Sequence, residues 1–334
     1  MIDPPPHEVQ YGTASQPVLP GDGFVLGADI GGTNLRVALA DSSGRILACQ
    51  RASIAGVRDP LQVVARMREL ASALLSEFSV APAALRAIGA GAPGVTDTEH
   101  GTVIATSYLM GWTDVPLRAH LEDAFGIPAA IDNDVNLAAF GESRAGIAQS
   151  ADDFVFLAIG TGIGAGIVLN RQIHHGSTWR AGEIGYLLVP GVSEDPVGHG
   201  DPGPFEAQVG GEGIRRQWLS RWSPACTSLP SDLTATEIFD YARAGDALAS
   251  EVLRDIARML SYGIYNLALV LNCPMFVLGG SVGLHPVLGE EIRRLLRQRD
   301  DRALPLIVQS ALGDQAQLTG AVHLAIDVAA TALG

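Results

Sequence analysis

The chain has no lysine; all 22 of its Lys+Arg residues are arginine. That absence removes whole classes of chemistry. A P-loop kinase needs its Walker lysine, a protein kinase its strand lysine, and aldolases and pyridoxal phosphate enzymes a Schiff-base lysine. Cysteine is scarce too: Cys49, Cys226 and Cys273 are odd in number, far apart and form no C-x-x-C pair. Neither a disulfide framework nor a cysteine zinc site fits that spacing. Positive charge is in deficit, with a formal net charge of −14. Nucleic acid and anionic membranes both call for a basic surface, so neither is expected as a partner. No run approaches the ~18 apolar residues of a membrane helix. Residues 1–23 have no basic n-region and no apolar h-region, so they read as a flexible N-terminal arm rather than a secretory signal. What remains, at 334 residues and 47% hydrophobic, is the composition of a cytoplasmic enzyme of two domains.

What is present is glycine placed at turns. The run Phe24-Val-Leu-Gly-Ala-Asp29-Ile-Gly31-Gly32-Thr33-Asn34 passes from an apolar strand through an acidic residue into a Gly-Gly-Thr turn, and a second strand-like run leads out to Asp41. The turn therefore lies inside a β-hairpin. Glycines without Cβ atoms let backbone amides approach a phosphate, Thr33 adds a hydroxyl, and Asp29 can hold a water of a bound Mg²⁺. The pattern returns at Phe154–Asn170, where Gly160-Thr161-Gly162 stands between two apolar runs. Two such hairpins suggest a duplicated unit. Gly160-Thr-Gly-Ile-Gly-Ala165 also matches a dinucleotide fingerprint, but that motif needs a following helix. Here β-branched Ile167-Val168 and then Asn170-Arg171 follow, which read as strand and turn.

Elsewhere the periodicity expects helices at Asp59–Phe78, Leu117–Phe125, Val135–Ala145, Ala235–Ala244, Ala247–Asn272, Pro286–Gln298 and Leu318–Leu333. Strands are expected at Leu85–Ala90, leading to the turn Gly91-Ala-Pro-Gly94, at 128–134, at Met275–Val282 running into a glycine turn, and at Leu304–Gln309. Alternation of strands and helices, each half headed by a hairpin, gives an α/β architecture with a cleft between two domains. Asp132-Asn133-Asp134 falls at the C-terminal end of a strand, the edge where ligands bind open α/β sheets. Asp132 and Asp134 are also candidates for capping the next helix.

These segments resemble a known family. Asp29-Ile-Gly-Gly-Thr-Asn34, Asp132-Asn-Asp-Val-Asn136, Gly160–Gly166, Gly182-Glu-Ile-Gly185, Leu278-Gly-Gly-Ser281 and Gly313…Gly320-Ala321 occur in the order seen in ROK proteins, over roughly residues 24–334. The resemblance implies two ribonuclease H-like, actin-like ATPase domains around an interdomain cleft: residues 24–136 with about 313–334, and 137–312. It implies a glucokinase-like sugar kinase. Asp134 would be the general base for the sugar 6-hydroxyl, facing Asp29 across the cleft. Gly91, Tyr108, Asn133, Glu183, Tyr186 and Glu206 would hold the sugar, and Asp29 the Mg²⁺ through water. The phosphates of ATP would meet Gly31, Gly32, Thr33, Asn34, Gly160, Thr161, Gly162, Gly279 and Gly280. Asn34 and Arg36 have no more specific role.

Departures from the family pattern also carry expectations. Tyr186 stands where many members have histidine, and Tyr108 where asparagine is common; if both face the pocket, it is bulkier. Pro196–Pro204 lacks the family's cysteine cluster, and His199 alone cannot build a tetrahedral site, so no zinc is expected. Glucose is the preferred acceptor; N-acetylmannosamine, N-acetylglucosamine or a cyclitol are alternatives, as is polyphosphate in place of ATP. A non-catalytic sugar-binding protein is a further reading. A ROK repressor would carry a helix-turn-helix domain, for which 23 residues before the first strand leave little room. A homodimer is the expected assembly.

Overall fold

The computed structural model describes residues 23–198, 201–299 and 304–332. The arm at 1–22, His199 and Leu333 lie outside the described residues. Among these residues no helix is long and apolar enough to cross a membrane.

Two five-stranded sheets organise the chain, and they share one plan. The first contains β1 (Phe24–Ile30), β2 (Asn34–Asp41), β3 (Ile46–Ser53), β4 (Leu85–Ala92) and, after a small sheet of β5 (Val95–Asp97), β6 (Thr102–Ala105) and β7 (Thr113–Val115), the strand β8 (Ala129–Asn133). Its order is β3-β2-β1-β4-β8, with β1–β3 antiparallel neighbours and β4 and β8 parallel to β1. The second contains β9 (Phe154–Ile159), β10 (Ile163–Leu169), β11 (Gln172–Ile173), β12 (Met275–Gly279) and β13 (Leu306–Gln309). Its order, β11-β10-β9-β12-β13, repeats the same directions. The duplication suggested by the two hairpins is thus a duplication of topology.

Helices cover both sheets, and their ends follow local chemistry. In α1 (Pro60–Glu77), Pro60 sits at the first position and the Asp59 carboxylate accepts from the Leu61 amide, while Val63, Val64, Met67, Ala71 and Leu74 turn inward. Beyond α2 (Leu117–Phe125) and α3 (Asp134–Ala145) come α4 (Glu206–Val209), α5 (Gly211–Arg221) and α6 (Ala235–Arg243). The long α7 (Ala247–Leu271) is capped by Asp246 and ends where Asn272 turns left-handed at φ 52°. Then follow α8 (Gly280–Gly283), α9 (Pro286–Arg299) and α10 (Ala316–Ala332). The strand expected at Met275–Val282 therefore stops at Gly279, and the next residues form a helical turn. Gly91 and Ala92, expected in a turn, are the last residues of β4.

The second half has a large core in which β9 and β12 meet α5, α6, α7 and α9 around Trp218, Phe239 and Phe276. In the first half Leu26, Leu39, Met67 and Trp112 anchor the core under α1. Helix α3 belongs to neither half alone. Its Leu137 carbonyl lies against Gly320 of α10, where an added Cβ would stand 1.8 Å from that oxygen, and on its other side Ala139 meets Gly166 of β10. A boundary drawn after Asn136 passes through its first turn. Backbone contact of this kind admits no side chain. Gly320→Val is expected to lower unfolding stability by about 3 kcal/mol, read as an earlier midpoint in urea; a shift under a third of that would show that the seam gives way.

Candidate active site

Because β1, β4 and β8 run parallel, their C-terminal ends come to one edge of the first sheet. Asp29 lies opposite Gly91, and Gly91 opposite Asp132. Asp29 and Asp134 therefore stand two strands apart on the same edge. An arrangement with Asp134 facing Asp29 across the cleft is ruled out by the strand order. Gly91 is buried, and a Cβ there would lie 3.5 Å from the Asp134 Cα, so it sits beneath Asp134.

The run Asp132-Asn133-Asp134 divides its tasks differently from the capping expectation. Asn133 is the cap: its Oδ1 accepts from the Val135 and Asn136 amides at 2.8 and 3.2 Å, and its Nδ2 donates to the Gly94 carbonyl at 2.9 Å. These bonds leave one of its amide hydrogens unclaimed. Asp132 is buried and accepts from the Asn133 amide at 2.6 Å, Asn136 Nδ2 at 2.9 Å and His175 Nε2 at 2.8 Å. Asp134 opens α3 and its carboxylate accepts from the Val135 amide at 2.9 Å. Burial, with added repulsion from Asp29 and Glu183, pushes the Asp134 pKa up to about 7.

The second half supplies the opposing wall. Gly182, at φ +94°, leaves no room for a Cβ, which would stand 1.9 Å from the Ala165 carbonyl. Its own carbonyl accepts from the Ala165 amide at 2.9 Å, so the turn carrying Glu183 lies flat on β10. Glu206 opens α4; its Oε2 accepts from the Ile163 amide at 3.1 Å and from the Tyr108 hydroxyl at 3.4 Å. Burial and the nearby Glu206 hold Glu183 above the ordinary carboxyl range. The Tyr186 phenol is raised by burial and by Glu183 and Glu206, so Tyr108, Glu183, Tyr186 and Glu206 form one group. Both tyrosines stay accessible, at 45% and 50%. Tyr108 also spans the two glycine turns: its carbonyl lies 3.1 Å from where a Gly32 Cβ would be, and its hydroxyl 2.5 Å from where a Gly162 Cβ would be.

In the first turn the Gly31 amide donates to the Asn34 carbonyl at 2.8 Å, Asn34 Nδ2 donates to Thr33 Oγ1 at 2.9 Å, and Gly32, Thr33 and Asn34 are exposed. In the second, the Gly160 amide donates to the Gly162 carbonyl at 3.0 Å and Thr161 is exposed. Gly279 is buried at the end of β12, while Gly280, at φ +77°, opens α8. Arg36 gains a partner that the sequence left unassigned: its Nε and Nη2 meet Asp29 Oδ2 at 2.9 and 2.7 Å, and its Nη1 donates to the Asp314 carbonyl at 2.6 Å. Asp29 and Arg36 are directly opposed across the hairpin, so counting outward from the Gly-Gly turn would have found the pair. His175, Trp179 and the buried Asp132 hub carry no comparable local signal.

The ROK family profile matches residues 25–328. The chain belongs to the ROK family. Its two sheets are the paired units of the actin-like ATPase fold that the solved ROK sugar kinases share. A glucokinase of Halalkalibacterium halodurans is 31% identical over 313 residues, 90% of this chain and 94% of that one. A xylose repressor of Caldicellulosiruptor bescii is 25% identical over 321 residues, 91% of this chain and 78% of the repressor. A ROK family glucokinase from Streptomyces griseus, solved in complex with glucose and AMPPNP, is 27% identical with a TM-score of 0.75 and covers 91% of this chain and 100% of that one.

The raised pKa of Asp134 has a sign that stability can report. Unfolded, the group releases its proton near 3.8; folded, near 7. Between those values the folded state holds the extra proton, so stability falls as pH rises through that window. Asp134→Asn removes the loss. The variant is expected to exceed wild type in stability at pH 8 by of order 1 kcal/mol, the difference shrinking toward pH 4 in paired denaturant titrations. A variant less stable at pH 8 would contradict the assignment.

Proposed function

We propose that this ROK family carbohydrate kinase transfers the γ-phosphate of ATP to the 6-hydroxyl of a hexose, with glucose the preferred acceptor. The observation that carries the reading is Asp134: a carboxylate at a sheet edge, poised near neutrality and within electrostatic reach of both Asp29, beside the first glycine turn, and Glu183. Phosphoryl transfer asks chiefly for positioning and charge neutralisation, which suits a cleft without lysine. Asp134 accepts the proton of the attacking hydroxyl at its carboxylate oxygen. Glu183 and Glu206 accept from vicinal sugar hydroxyls, and the remaining Asn133 N–H donates to another. The Tyr108 and Tyr186 rings close the sides of the pocket. Amides of Gly31–Asn34 and Gly160–Gly162, with Gly279 and Gly280 behind them, receive the phosphates.

The residues present fit a Mg²⁺ ion. Both Arg36 contacts fall on Asp29 Oδ2, leaving Oδ1 for a water of the metal's shell, and hard oxygen ligands of this kind suit that ion. When bound with ATP it would neutralise developing phosphate charge. In this reading residues 24–136 with about 313–334 form the smaller domain and 137–312 the larger, with the boundary falling inside the shared helix α3. The enzyme acts in the cytoplasm as a homodimer on small molecules, without nucleic acid or membrane partners and without zinc.

A coupled ADP-release assay over glucose, N-acetylmannosamine, N-acetylglucosamine and cyclitols tests the function. Glucose is expected to give the highest kcat/KM, rising with pH to a plateau above about 7 as Asp134 ionises. Asp134→Asn is expected to lose about a thousandfold in kcat. Strong turnover in that variant would remove Asp134 as the base, and silence across the panel would favour a sugar-binding protein without catalysis. Metal analysis of the purified protein is expected to find well under one zinc per chain; a stoichiometric zinc would overturn that part of the reading.

A further inference from the structure

We propose that His175 is a positioning residue for phosphoryl transfer, fixing the distance between the base Asp134 and the sugar-gripping Glu183. The inference rests on the kinase reading above. The segment 174–183 is tied down along its length: the His174 amide donates to the Ile167 carbonyl at 2.8 Å, the Ala181 amide to the His175 carbonyl at 3.1 Å, and the Ala165 amide to the Gly182 carbonyl at 2.9 Å. The loop is closed at its neck and fixed to β10 on both sides of it. Glu183 is the next residue.

From that neck the imidazole reaches the other sheet. Nε2 donates to Asp132 Oδ2 at 2.8 Å, and Asp132 passes the constraint on through Oδ1, which accepts from the Asn133 amide and from Asn136 Nδ2. Those groups form the first turn of α3, the turn that aims Asp134. A continuous set of contacts thus runs from the sugar carboxylate, through one histidine, to the base. Trp179 holds the ring from the side, edge-on with centroids 5.5 Å apart, and does so at a left-handed φ of 62°. A bulky residue keeps such a backbone only where its surroundings dictate it. Burial pulls the His175 pKa down, but the bond to Asp132 and its charge more than offset this and leave it raised, as a charge-assisted bond would.

An in-line displacement is sensitive to this distance, since a misplacement of ~1 Å can cost about a hundredfold in rate. The test compares His175→Leu and His175→Gln in the full chain, using the sugar that the wild type phosphorylates best, at saturating ATP, with melting curves alongside. The glutamine amide can present an N–H close to where Nε2 stood. The leucine variant is expected to raise the sugar KM about fivefold and to lower kcat about tenfold or more, and glutamine to return both to within about threefold of wild type. Asp132→Asn combined with His175→Leu should be no worse than His175→Leu alone. Loss of folded enzyme would lower kcat and leave KM unmoved. A leucine variant with wild-type KM, or a glutamine variant as impaired as leucine, overturns the role. A wild type silent on every sugar sinks the kinase reading itself, whereas an active wild type with an unmoved leucine KM sinks only the role of His175.

Discussion

Helix α3 lies at backbone-contact distance from α10 on one side and from β10 on the other, so its axis is set by peptide groups rather than by side chains that could repack. Its start is set just as firmly, by the Asn133 cap. Its far end is held by the buried carboxylate of Glu142, which accepts from the Ile147 and Leu312 amides and from the Ser310 hydroxyl. A helix fixed at both ends and along both sides carries its first residue to one place. That residue is Asp134, and both halves of the cleft are built outward from it.

The electrostatics of the cleft follow from that placement. Asp29, Asp134, Glu183 and Glu206 gather from the two halves; burial raises the pKa values of Asp134 and Glu183, with repulsion from Asp29 and Glu183 added at the first and from Glu206 at the second. Arg36 offsets part of this charge through Asp29. Such a site favours cations and hydroxyl donors, and a polyanionic donor gains by arriving with its metal. The absence of lysine is therefore compatible with the proposed phosphoryl transfer, in which neutral amides at two glycine turns and a metal-dressed nucleotide would take over the work of an ammonium.

Much of this was legible in the sequence because it is local. A glycine turn between two apolar runs is read within a dozen residues, and both hairpins, the following strand that excludes a dinucleotide helix, and most helices stand where expected. The three consecutive capping-competent residues Asp132, Asn133 and Asp134 could not be ranked in that way, since each is a plausible cap and only the fold decides which carboxylates are claimed elsewhere. Asp132 is claimed by His175, a residue 43 positions away. Nor does a string of strands reveal their order, so Asp29 and Asp134 could be placed on opposite walls until the parallel ladder through β4 brought them to one edge.

The rim and the floor of the pocket differ in how much each can change. Tyr108 and Tyr186 are about half accessible and stand on a bend and a short 3₁₀ turn, where substitution disturbs fewer packed atoms than in the core. The floor is different: Asp134, Asn133 and the α3 seam are locked by backbone contact and by a cap. The architecture thereby separates the heritable traits. In the proposed reading, single substitutions along the rim would change acceptor preference, while the floor that carries the base would tolerate few. On that reading, a lineage built on this plan would diversify in what it phosphorylates before it changed how.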